Sequence, residues 1–170
     1  MKVDVHAHYV PRECLKVTKE IGKRYDLKIT QDENGRDLLV RDGKRGFGPF
    51  REEFYDLDRR LKIMDQASID IQVLSAQNFF FLNWMTPDEG LEFAQWLNGE
   101  LIAAVQKHPK RFAGLATVPL QDSGKAAQEL ERAIKNLGSK ESRLAPISTG
   151  AISMILISIP SGRRLRPWRP

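Results

Sequence analysis

MKVDVHAHYVP, residues 1–11, is the stretch whose reading decides the fold. Val3 and Val5 alternate with polar neighbours, and the run stops at Pro11. That pattern predicts a short strand with His6 and His8 at its C-terminal end. The chain has only 3 histidines in 170 residues, so the pair is no by-product of composition. Side chains two apart on a strand share a face. In a parallel sheet the C-terminal strand ends are where the chemistry sits. Two imidazoles converging there can grip one metal ion, with one nitrogen each at about 2.0–2.1 Å. Asp4, two residues earlier, is expected on the same face as an outer partner. The competing account is that each histidine only satisfies a buried hydrogen bond. A catalytic zinc needs three protein ligands, and His108 is a poor third. It lies in the basic stretch Lys107–Arg111, where a histidine usually faces solvent.

Working outward, KITQDENGRDLLVR (28–41) places apolar arms around Asn34-Gly35 and predicts a type I′ hairpin. Leu57, Leu61 and Met64 predict a helix capped by Asp56 or Asp58. IDIQVLS (69–75) reads as a buried strand. Thr86, Pro87 and Glu89 form a capping-box signature for a helix running to about Lys107. Residues 112–118 predict the next strand. A last helix is expected from Asp122 or Ser123 to Leu137, with Gly138 at its C-cap. Strands alternating with helices predict an α/β fold with a parallel sheet and right-handed crossovers. Three strands complete neither a barrel nor a doubly wound sheet.

Composition fits one globular domain, with 41% hydrophobic and 29% charged residues. No run approaches the roughly 18 apolar residues of a membrane span, and Asp4, His6 and His8 interrupt any secretory signal. A single cysteine, Cys14, excludes an intrachain disulfide and fits a cytoplasmic location. The net charge is +5, but Lys140, Arg143, Arg163, Arg164, Arg166 and Arg169 face one acid, Glu141, after residue 138. Residues 1–138 hold 21 charges of each sign. The body is neutral, which argues against a nucleic-acid partner.

DVHAHYVP resembles the first-strand motif of the amidohydrolase superfamily. RLKIMD (60–65) running into IDIQVLS, then PKRFAGLATVPLQD (109–122) and ELERA (129–133) up to Leu137-Gly138, are similar to the aminocarboxymuconate-semialdehyde decarboxylase-like branch. The resemblance covers residues 1–138 in order and spacing. It implies about three βα units from the N-terminal part of a metal-dependent (β/α)8 TIM barrel. It further implies one divalent ion, with zinc expected, and His6 and His8 among its ligands. The implied chemistry is non-oxidative decarboxylation of a small carboxylated, aromatic-derived substrate, or less often hydrolysis. Full-length members are expected to be homo-oligomers. The branch often places a substrate-carboxylate arginine after a phenylalanine in the loop before Asp56. Ungapped alignment puts Gly48 there, after Phe47, while Arg51 follows Phe50 and serves if the loop shifts by three. The alternative is that Arg51 is a surface residue pairing with Glu52 or Glu53.

Residues 139–170 leave this pattern. A nucleic-acid-binding or polyanion-binding tail, a membrane-surface anchor and a shifted reading frame are the competing accounts. Arginines around Trp168 can contact phosphates, but four arginines among prolines is a thin signal. The frame account can be checked codon by codon. Loss of one T from a Phe codon after Gly138 converts FKGVQIGTNING into the observed SKESRLAPISTG. The same shift allows RYLDDPDFDPFW for residues 151–162, and the two restored stretches together, with VQIG as a buried strand, resemble the family's fourth strand and loop. We therefore expect a basic, frame-shifted tail after an amidohydrolase-like body. On that account the chain holds half a metal site and shows no turnover, and the edge of its third strand invites aggregation.

Overall fold

The structure, a computed structural model, describes residues 1–41, 43–77, 80, 85–137, 146–149 and 152–156. In chain order the elements are β1 (Val3–Tyr9), α1 (Glu13–Tyr25), β2 (Leu27–Gln31), β3 (Asp37–Arg41), β4 (Lys44–Phe47), α2 (Glu52–Tyr55), α3 (Leu57–Gln66), β5 (Ile71–Ala76), α4 (Pro87–Lys107), β6 (Phe112–Ala116), α5 (Ser123–Leu137), β7 (Pro146–Thr149) and β8 (Ile152–Leu156). The main sheet runs β1-β5-β6-β8-β7. β1, β5 and β6 are mutually parallel, as alternating strands and helices require. β8 pairs antiparallel with the end of β6, and β7 antiparallel with β8. The segment read as patternless thus contributes a hairpin that breaks the parallel order. Gly138 and the arginine-rich stretch with Trp168 lie outside the described residues.

All six residues of β5 and all five of β6 are buried, which is why both read as mostly apolar runs, with Gln72 and Ser75 the polar exceptions in β5. Their helix-side layer joins Ala7, Met64, Leu74, Leu101, Ala104, Val105 and Phe112. Gly114 lets α4 approach: a Cβ there would stand 3.4 Å from both Leu101 and Val105 side-chain carbons. Asp56 caps α3 by accepting from Arg59 N at 2.9 Å. Thr86 and Glu89 form the expected capping box on α4. Asp122 accepts from Lys125 N at 2.9 Å at the head of α5. Among the described residues, no helix is long and apolar enough to cross a membrane.

The excursion between β1 and α3 departs from expectation in two places. The hairpin forms, with Gln31 opposite Asp37, but its loop has five residues and is not type I′. Gly35 N–H donates to Asp32 O at 3.0 Å, and Asp32 N–H to Arg36 O at 2.9 Å. Asp32 Oδ1 accepts from the Asn34 and Arg36 amides, and Gly35 alone takes positive φ. This is a type I turn closed by a glycine bulge, selected by the Asp32 carboxylate. The second departure is α1, which sequence periodicity did not single out. Its buried positions Cys14, Thr18 and Gly22 are four apart but small or polar, so they carry little hydrophobic signal.

Gly22 lets the end of α1 rest on the chain entering β2. A Cβ there would fall inside contact distance of the Leu27 carbonyl oxygen and 3.1 Å from Leu27 Cβ. Helix propensity favours Gly22→Ala by about 1 kcal/mol, whereas overpacking against fixed backbone costs about 1–3 kcal/mol. The contact should win. Gly22→Ala is expected to lower the urea midpoint, and a raised midpoint would show that α1 shifts freely.

Candidate functional site

β1 presents its two histidines side by side, with ring centroids 4.8 Å apart and planes at 75°. His6 is exposed and His8 half-buried. Ser75 Oγ, from the facing position on β5, lies 3.3 Å from His8 Nδ1. Burial lowers the His8 pKa below its usual value. The neighbouring His6 and, more weakly, Arg60 act in the same direction, against an opposing hydrogen bond with the Ala76 backbone. Burial therefore favours the neutral imidazole of His8, the form that offers a lone pair to a metal.

The strand is not regular. Asp4 pairs with Gln72 and Ala7 with Leu74, three steps on β1 against two on β5. This bulge turns Asp4 away from the histidine face, contrary to the expectation from period two. Asp4 Oδ2 instead accepts from Gln72 Nε2 at 2.8 Å, on the helix side of the sheet. Asp4 Oδ1 accepts from the His6 amide at 3.1 Å. Val5, at the bulge, is 66% exposed.

His108 does not join the pair. It caps the C-terminus of α4 below the start of β6, edge-on to Phe112 and 3.8 Å from the Asp58 carboxylate. Among the described residues no cluster of three His, Cys, Asp or Glu could hold a metal ion. The donor set fits a divalent ion as one half of a site: two adjacent imidazoles, one of them favoured in its neutral form by burial. Arg51 stands exposed at the start of α2. It lines a cavity of about 410 Å³ with Arg12, Arg36, Arg59, Glu52 and Tyr55, among others, and neither histidine borders that cavity. Glu52, one of the two acids expected to pair with Arg51 on the surface, pairs with Arg12 at 2.7 Å, and the Arg12 guanidinium lies 5.3 Å from the Tyr55 ring centroid.

Two neighbours of the pair escaped the sequence reading of the site. Ser75 looked like the end of a buried strand. Arg60 occupies the buried stripe of α3 beside Met64, and a charged residue in such a stripe was the available signal.

The sequence matches the amidohydrolase family over residues 3–151. It is 31% identical to 2-amino-3-carboxymuconate-6-semialdehyde decarboxylase of Dictyostelium discoideum over 138 residues, 81% of this chain and 38% of that protein. It is 38% identical to gamma-resorcylate decarboxylase of Polaromonas sp. over 81 residues, 48% of this chain and 25% of the relative. Among solved structures, dihydroxybenzoic acid decarboxylase from Polaromonas sp. JS666, with bound manganese and the inhibitor 2-nitroresorcinol, superposes with a TM-score of 0.59. That match is 28% identical and covers 81% of this chain and 36% of that one. The chain therefore spans less than half the length of these relatives, and its parallel strands and crossover helices correspond to part of their fold. With the match covering most of its length, the chain belongs to the amidohydrolase family.

Proposed function

We propose that this chain carries the first metal-binding strand of a divalent-metal-dependent decarboxylase acting on a small carboxylated, aromatic-derived substrate. The observation that carries the reading is the adjacent His6–His8 pair at the C-terminal end of β1, with burial favouring neutral His8. The relatives' names favour carboxy-lyase chemistry over hydrolysis. His6 and His8 would hold the ion, and Ser75 would orient the His8 ring through Nδ1. When bound, such an ion supplies positive charge that polarises a coordinated oxygen. Zinc and manganese both suit this reading, manganese because a related decarboxylase binds it. Arg51 is proposed as the contact for the substrate carboxylate, which requires its loop to turn from the cavity it now lines toward the histidines. A cytoplasmic, homo-oligomeric protein belongs to the same reading, in keeping with the buried, unpaired Cys14.

Metal titration of the 170-residue chain tests the proposal. His6→Ala and His8→Ala should each weaken zinc or manganese binding about tenfold or more, whereas His108→Ala and Arg51→Gln should not. Equal affinity in all five proteins would remove the histidine pair from the site. Arg51→Gln should instead weaken binding of a benzoate-type carboxylate, and unchanged carboxylate binding would remove Arg51.

A further inference from the structure

We propose that Arg60 is a positioning residue for the metal-binding strand, an inference that rests on the divalent-ion reading above. Arg60 is 8% exposed, on a helix face otherwise suited to leucine. Its Nη2 donates to the His8 carbonyl at 2.7 Å and to the Glu53 carbonyl at 2.5 Å. Its Nη1 donates to Gln72 Oε1 at 3.0 Å. Gln72 in turn donates to Asp4, which accepts from the His6 amide. One guanidinium therefore holds the backbone of β1 at two points: directly at His8, beyond the bulge, and through Gln72 and the Asp4 side chain at His6, inside it.

A buried cation is a poor way to gain stability, since an apolar residue of similar volume often serves as well or better. These bonds of Arg60 go to two carbonyls and an amide, not to a carboxylate. What a guanidinium adds is a rigid planar fork of donors, which fixes several acceptors in one relative geometry. Here the acceptors belong to the strand bearing the two imidazoles, the segment before α3, and β5. Without that fork, a bulged strand paired along one edge would leave the His8 ring free to shift against Ser75.

The test uses the full chain, Co²⁺ as an optical probe, and ¹⁵N-histidine NMR. Arg60→Lys and Arg60→Leu are compared with Met64→Ala, which thins the same helix's packing without touching β1's carbonyls. Arg60→Lys should weaken Co²⁺ binding and Arg60→Leu weaken it further, by about 10–100-fold. His8 ring resonances should move in both. Met64→Ala should lose stability while Co²⁺ affinity and the His8 resonances hold. Arg60→Lys carries the test if Arg60→Leu does not fold. Wild-type affinity with unmoved His8 resonances in Arg60→Lys would overturn the inference, as would equal shifts in Met64→Ala. If the wild type takes up no Co²⁺, the metal reading falls, while the His8 resonances still decide whether Arg60 holds the strand.

Discussion

Asn98→Leu is expected to destabilise the protein by about 3–5 kcal/mol, a large part of the about 5–15 kcal/mol that a domain has. Asn98 is 1% exposed on α4, and its amide serves three partners at once. Nδ2 donates to Thr117 O at 2.8 Å and to Glu129 Oε1 at 2.7 Å, while Oδ1 accepts from Thr117 N at 2.9 Å. Glu129 is fully buried on α5, and Arg132 covers it from the other side at 2.6 and 2.8 Å. The network ties α4, α5 and the chain leaving β6 together. Leucine fills a similar volume but leaves the Thr117 amide and carbonyl without Asn98 and takes one of two donors from the buried Glu129 Oε1. Each buried group left unsatisfied costs about 1–3 kcal/mol, more when charged. With a urea m-value of about 2 kcal/mol per M, the midpoint should fall by about 2 M. Asn98→Asp should be at least as damaging, because it sets a second carboxylate against Glu129. A midpoint for Asn98→Leu close to wild type would mean that water reaches these groups and the network contributes little.

Phe112→Ala should cost about as much, roughly 3–5 kcal/mol, through cavity formation. Phe112 is 0% exposed where Met64 of α3, Leu74 of β5 and Leu101, Ala104 and Val105 of α4 meet. Collapse into the vacated space is opposed from two sides. Gly114 already brings α4 to contact distance of β6, and the sheet positions are fixed by the ladder between β5 and β6. A thermal melt should show a drop of about 10 °C or more, since about 1 kcal/mol shifts the midpoint of a domain this size by about 2–4 °C. Phe112→Leu should lose less than half as much. Equal losses for the two variants would indicate that the site repacks and that volume there is not limiting.

These elements were legible in the sequence because local signals sufficed. β5 and β6 announce themselves by short, mostly apolar runs. α4 does so by Thr86, Pro87 and Glu89, and the histidine pair by its spacing. What stayed hidden depended on partners distant in the chain. The bulge between Asp4 and Ala7 exists only relative to β5, so period two on β1 alone misplaced Asp4. α1 buries Cys14, Thr18 and Gly22, residues chosen for close approach and not for hydrophobicity. Arg51 could be found as a candidate, but the loop that carries it sends it to a cavity the histidines do not border. Arg60 sits in the family-like run RLKIMD, but what its guanidinium grips depends on β1, β5 and α2, which no local pattern reveals.

Among the described residues, β1 is paired with another strand along one side only, to β5. Amides on successive residues of a strand point alternately left and right, so the strand carries two populations of N–H with different protection. Those directed at β5 open only with the sheet, whereas those on the far side meet no ladder partner. Hydrogen exchange along residues 3–9 would therefore alternate between slow and fast, with the bulge setting a phase slip between Asp4 and Ala7. The strand that presents both imidazoles is in this sense anchored like a hinge leaf, pinned along one margin. Motions of β5 pass into the histidine pair directly, and the other described bonds to this strand's backbone come from side chains, Arg60 at the His8 carbonyl and Asp4 at the His6 amide.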